Sequence, residues 1–174
     1  MVVTVPLPPY AYVPGHWPHP TRDATGHGHG QAPDPGRMTP ITEPWWDDAR
    51  FRRGITLFDA GYYWEAHELW ETLWIAAGRR GPVAEQIGAF IKVAAAGVKL
   101  RQHRPASAAK LGARARDGLA SLPENFDHER VAALLDETTT PQVTVGPPTA
   151  AVQVVFTTSL HQVVPTRVRQ VGGT

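Results

Sequence analysis

GYYWEAHELWETLW, residues 61–74, is the stretch on which the fold turns. A helix brings residues three and four apart onto one face. His67 then stands beside Glu71, on a face that runs forward to Trp74 and back to Tyr63 and Trp64. Glu65 and Glu68 form an adjoining stripe leading to Glu71 and Thr72. A single helix therefore carries an imidazole, three carboxylates and three tryptophans. Gly61 punctuates its start. Gly78 stands just past its end, where a left-handed residue closes a helix, so a helix over 62–77 is expected.

Working outward, the helical pattern continues on both sides. Upstream, Phe51, Ile55 and Phe58 recur at three- and four-residue spacing, and Thr42 with Pro44 reads as the cap and first turn of that helix. Downstream, Pro82 opens a third helix running to about 102. Its small residues Gly88, Ala89, Ala94, Ala95, Ala96 and Gly97 allow close helix approach. Pro105 starts a fourth helix to about 122, and Asp127 caps a fifth, with Val131, Leu134 and Leu135 facing inward. The expected fold is all-α, with about five helices in stacked helical hairpins resembling paired helical repeats.

The ends differ from this bundle. Residues 1–44 hold about ten prolines and no helical period, so they form an extended arm. Tyr10, Tyr12, Val13 and Trp17 give that arm something to pack. Residues 138–174 lack Asp and Glu and carry the valine-rich runs 142–145, 152–157 and 163–171. That tail reads as strand-like, either a β ribbon or disordered. The bundle itself spans 45–137.

Composition narrows the function. Hydrophobic residues at 42% and charged residues at 19% suit a globular domain. A net charge of +1 gives no field toward nucleic acid, and the basic residues from Lys99 to Arg116 read as a solvated face. Cysteine is absent, which excludes disulfides and thiolate chemistry. No apolar run approaches membrane-spanning length. A cytoplasmic protein is expected, with no membrane partner. No phosphate loop or dinucleotide glycine fingerprint occurs, and Ser107, Ser121 and Ser159 lack a nucleophile-elbow context.

The polar residues of the second helix are the candidate site. His67, Glu68 and Glu71 could act as base, orienter and ligand, with Lys92 of the third helix as electrostatic stabiliser. Lys92 interrupts an apolar run and is expected to pair with Glu68 or Glu71, because buried carboxylates need donors. Tyr63, Glu65, Trp74, Gln86 and Lys99 complete the candidate binding residues. His67-Glu68-Leu69-Trp70-Glu71 departs from the zinc-protease pattern, since Glu71 stands where a second histidine belongs. The di-iron pattern Glu-x-x-His is absent. Two readings stay open: a polar network fixing helix packing, or a site.

FDAGYYWEAHELWETLW, followed by a helix with Gln86 and AFIKVAAAGVKLR, resembles the domain of unknown function 309 family. The matching positions are Phe58, Gly61, Tyr63, Glu65, Ala66, His67, Glu68, Glu71, Trp74, Gln86 and Ala94 to Ala96, and the likeness covers about residues 47–122. It implies a compact helical bundle of bacterial or archaeal type and no particular activity. Lys92 stands where the family pattern has Gln.

The arm carries His16, His19, His27 and His29, with Asp23 among them. If it crosses the second helix, His19 or His27 would join His67 and Glu71 around a divalent metal. The function expected is a binding or scaffold module taking a small ligand, a peptide or a second copy through helices or tail. The alternative is a metal- or His/Glu-dependent enzyme, for instance a hydrolase, with its site between the second helix, the third helix and the arm.

Overall fold

The computed structural model describes residues 6–31 and 38–166. Among them are six α-helices and no strand: α1 (Ala49–Asp59), α2 (Tyr63–Ala76), α3 (Pro82–Arg101), α4 (Pro105–Ala120), α5 (His128–Glu137) and the short α6 (Leu160–Val163). A 3-10 turn, Trp45–Asp47, precedes α1. Neighbours in sequence pack as neighbours in space, α1 on α2, α2 on α3 and α3 on α4. This is the stacked-hairpin arrangement expected from the sequence. α5 then rests on α4, while α6 touches both α1 and α5.

Three helix ends share one geometry. After α1, Gly61 N–H donates to Phe58 O and Tyr62 N–H to Leu57 O. After α2, Gly78 N–H donates to Ile75 O and Arg79 N–H to Trp74 O. After α3, His103 N–H donates to Leu100 O and Arg104 N–H to Lys99 O. Each is a Schellman motif, which needs a left-handed residue at the first position past the cap. Gly61 (φ 89°) and Gly78 (φ 84°) supply it without a Cβ penalty, whereas His103 adopts φ 56° as a non-glycine residue.

The start of α1 differs from the sequence expectation. Its cap is Asp48, whose carboxylate accepts from Arg50 N–H at 2.9 Å. Thr42 instead donates its own N–H to Asp48 at 3.0 Å. The turn Trp45–Asp47 intervenes because it buries Trp45 against Phe51 and Phe126. The core is aromatic: Phe51, Trp70, Phe90 and Trp45 form one group, and Phe58, Tyr63 and Phe156 another. Gly97 lets α3 close on this second group, since a Cβ there would meet the Tyr63 ring at 2.6 Å.

Among its described residues the tail forms no ribbon. Its backbone donors are met by side chains of the helices, so it needs no partner strand. Tyr63 Oη accepts from Val155 N–H at 2.7 Å. Glu137 accepts from the N–H groups of Thr157 and Thr158. Asp59 accepts from Leu160 N–H at 2.7 Å and Ser159 Oγ at 2.6 Å. Val155, Phe156, Leu160, Val163 and Val164 are buried. Of the valine-rich run 163–171, residues 167–171 lie outside the described residues.

The arm and the tail also bind each other. Ala11 N–H donates to Ala151 O at 2.8 Å, and Trp17 Nε1 to Pro148 O at 3.2 Å. Both segments are thus part of the fold, with Tyr10, Ala11 and Val13 buried.

Candidate functional site

α2 turns Tyr63, Ala66, Trp70 and Leu73 into the core. That choice of face decides where its polar residues go. His67, Glu68 and Glu71 lie on the opposite side, all half-buried. One ligand-capable atom from each lies within 4.8 Å of the others. His67 Nδ1 stands 3.5 Å from Glu68 Oε1. It is buried and has no hydrogen-bond partner. Glu68 is the more open member, with 43% of its side chain exposed against 28% for His67. No other group of three or more potential metal ligands occurs among the described residues.

Glu65 lies deeper, with 9% of its side chain exposed. One oxygen accepts Tyr12 N–H at 2.9 Å, and the same oxygen is 3.6 Å from His27 Nε2. The other oxygen and His27 Nε2 are both buried without a hydrogen bond. Burial pushes the Glu65 carboxyl up to about 7. The Tyr12 N–H pulls the other way, and the Glu68 charge adds to the rise. Burial also pushes the His27 imidazole down. Burial thus shifts both members of this pair toward their neutral forms.

The arm crosses α2, but it meets Glu65 and Trp64 instead of His67 and Glu71. Trp64 takes the edges of Tyr12 (4.9 Å) and His19 (5.3 Å). Tyr10 stacks on Trp17 at 5.0 Å and meets His27 edge-on at 4.8 Å. His19 Nδ1 accepts the N–H groups of Thr21 and Arg22, each at 3.3 Å. That leaves the proton of the neutral ring on Nε2, the state that donates and does not ligate. Asp23 accepts from His19 N–H at 2.7 Å, closing the turn. Of the four residues considered as metal ligands, the structure groups His67 and Glu71, and adds Glu68. His19 and His27 make the separate contacts just described.

The third-helix candidates have other duties. Lys92 makes no ion pair with Glu68 or Glu71. Its ammonium donates to Gly88 O at 3.2 Å, one turn back on its own helix. A Cβ at Gly88 would lie 3.6 Å from that ammonium and 3.7 Å from the Trp74 indole nitrogen, so both groups border Gly88 where α2 rests on α3. Gln86 is buried and faces away from α2's polar row. It accepts Trp45 Nε1 at 3.1 Å and donates to Ser121 O at 2.6 Å, clasping the 3-10 turn to the end of α4. Lys99 donates to Gln102 Oε1 at 3.1 Å, and Gln102 donates to Pro14 O at 3.2 Å, which ties the arm to α3. Tyr63 is a core residue whose hydroxyl holds the tail, and burial pushes it up to about 12.

The result is a pair of carboxylates, Glu68 and Glu71, at three-residue spacing without a protein counter-charge, where like charges destabilise a helix by about 0.2–0.5 kcal/mol. Glu65, one turn earlier, is shifted toward its neutral form. Among the described residues, no Lys or Arg nitrogen comes within 4.0 Å of any of them. Sequence reasoning missed Tyr12 as the donor to Glu65. It also missed Asp59 and Glu137 as the holders of the tail, pairings that span 101 and 20 residues and leave no local signal.

Residues 51–111 match the family model described as "Domain of unknown function (DUF309)". No curated protein and no solved structure is significantly similar to the chain. The match runs from Phe51 in α1 through the whole of α2 and α3 into α4 and includes the His67, Glu68 and Glu71 row. The helical layers that present this row are thus the part of the chain that is similar to the DUF309 domain.

Proposed function

We propose that this protein is a binding module whose α2 row, His67, Glu68 and Glu71, takes a cationic ligand. The observation that carries the reading is the missing counter-charge. Glu68 and Glu71 have no lysine or arginine beside them among the described residues. The Lys92 ammonium, which could have supplied one, is turned to Gly88. Such a row is costly to keep near a hydrophobic core unless a cation answers it.

Binding is favoured over general-base catalysis by the state of His67. A catalytic imidazole is held in place by a hydrogen bond on its second nitrogen. Neither nitrogen of His67 makes a hydrogen bond among the described residues, and the Glu68 oxygen at 3.5 Å lies beyond productive reach. A cytoplasmic setting belongs to this proposal as well. Its support is the cysteine-free, mixed-charge composition, and the described residues contain no helix long and apolar enough to cross a membrane.

Thermal denaturation in a panel of cations tests the reading. The probes are zinc, manganese, magnesium, spermidine and tetramethylammonium, each added to chelator-treated protein. At least one should raise the melting temperature of the wild type and leave a Glu68→Gln/Glu71→Gln double variant unmoved. If no cation in the panel distinguishes the two proteins, the reading is wrong.

A further inference from the structure

We infer that the cation taken by the α2 row is a divalent transition metal, held by His67, Glu68 and Glu71 with its remaining positions open. This inference rests on the cation-binding reading above and names the ligand class for the same site.

The donor set makes the choice. Magnesium and calcium take oxygen ligands, whereas a mixed set of one imidazole nitrogen and two carboxylate oxygens suits zinc, manganese or ferrous iron. An organic ammonium would be met by carboxylates alone and would leave the imidazole idle. The spacing agrees with a single ion. Ligand atoms each about 2.0–2.2 Å from a metal and on one side of it stand about 3–3.6 Å apart. The half-buried side chains would draw in to this from the observed spread of 4.8 Å. Two carboxylates neutralise a divalent charge, so the bound site would be electrically balanced where the empty one is not.

A second observation points the same way. His67 Nδ1 is buried without a hydrogen-bond partner and lies 3.5 Å from Glu68 Oε1. A metal held there would give the ring the bond that it lacks.

The three ligands come from one helix, so they occupy one side of the ion. Coordination would be completed by water or a small ligand from solvent, on the side where Glu68 is exposed.

The test is calorimetric titration of chelator-treated full-length protein with zinc, manganese, magnesium and spermidine, with metal content read by elemental analysis. Wild type should bind one zinc or manganese ion per chain and discriminate strongly against magnesium. His67→Ala and Glu71→Gln should each weaken that binding by about tenfold or more. Both positions are half-buried and away from the core face, and circular dichroism verifies that the variants keep the helical fold. A His27→Ala/His29→Ala variant should bind as wild type does. Two patterns of binding would overturn the inference. One is transition-metal binding that survives the double variant His67→Ala/Glu71→Gln but is lost in the arm variant, which would mark an adventitious histidine site. The other is spermidine binding that depends on Glu68 and Glu71 without any metal binding, which leaves the cation reading standing and removes the metal. Binding of none of the probes would remove both.

Discussion

Burial of Glu65 beneath Tyr12 and His27 ties the stability of the protein to pH through one carboxyl. Its folded value of about 7 lies above the ordinary 4.5. The folded state therefore keeps a proton that the unfolded state releases. This contribution is fully present below the ordinary value and is lost as pH rises toward 7, by about 3 kcal/mol at most. His27, pushed down by burial, works in the opposite direction below its ordinary 6.5. Tyr12 and Tyr62 also face the carboxyl, but both are raised above 10.0 and do not titrate in this window. Glu65→Gln keeps the acceptor for Tyr12 N–H and removes only the titration. Urea denaturation of metal-free protein should show the variant matching wild type near pH 5 and exceeding it at pH 8. Equal stabilities at both pH values would show that Glu65 is not held neutral. At this scale the sequence was partly legible. The grouping of His67, Glu68 and Glu71 follows from helical spacing. The pairing of Lys92 with that group does not occur, because a lysine stem can equally turn its ammonium to a carbonyl one turn back.

At the scale of elements, the helix boundaries were readable wherever punctuation is chemical. Gly61, Gly78, Pro82, Pro105 and Asp127 stand at or beside the observed ends. The end of α3 is different, since it forms the same Schellman motif with His103 in the left-handed region. For a side chain with a Cβ this conformation costs about 1–2 kcal/mol, offset in part by the greater chain entropy that glycine loses on folding. His103→Gly should therefore stabilise the protein by about 0.5 kcal/mol, seen as a rise in denaturation midpoint with an unchanged slope. A fall in midpoint would mean that the His103 side chain makes a contribution larger than its strain. The start of α1 was misread for a related reason. Asp48 and Thr42 are both capping types, and only the burial of Trp45 in the intervening turn selects the later one.

For the whole molecule, the arm and the tail are what the residue pattern left least legible. Alternating valines near the C-terminus suggest a strand, yet the partners that satisfy this backbone are Tyr63, Glu137 and Asp59, far away in sequence. Long-range side-chain acceptors replace a neighbouring strand, and no local pattern announces them. Tyr63→Phe should show how much this matters. It keeps the ring beside Phe58 and Phe156 but leaves the buried Val155 N–H without its acceptor. The expected loss is about 1–3 kcal/mol in chemical denaturation, and a loss near zero would mean that the tail is held by its apolar residues alone. Stacked hairpins, arm and tail together leave the row His67, Glu68 and Glu71 half-buried at the surface, with no lysine or arginine ion pair among the described residues. The account of that row is most directly tested by paramagnetic line broadening. Manganese added in substoichiometric amounts to chelator-treated, isotope-labelled protein should broaden amide signals centred on His67, Glu68 and Glu71, with the effect fading along α2 in both directions. Broadening centred on the arm histidines His27 and His29, or none at all, would contradict it.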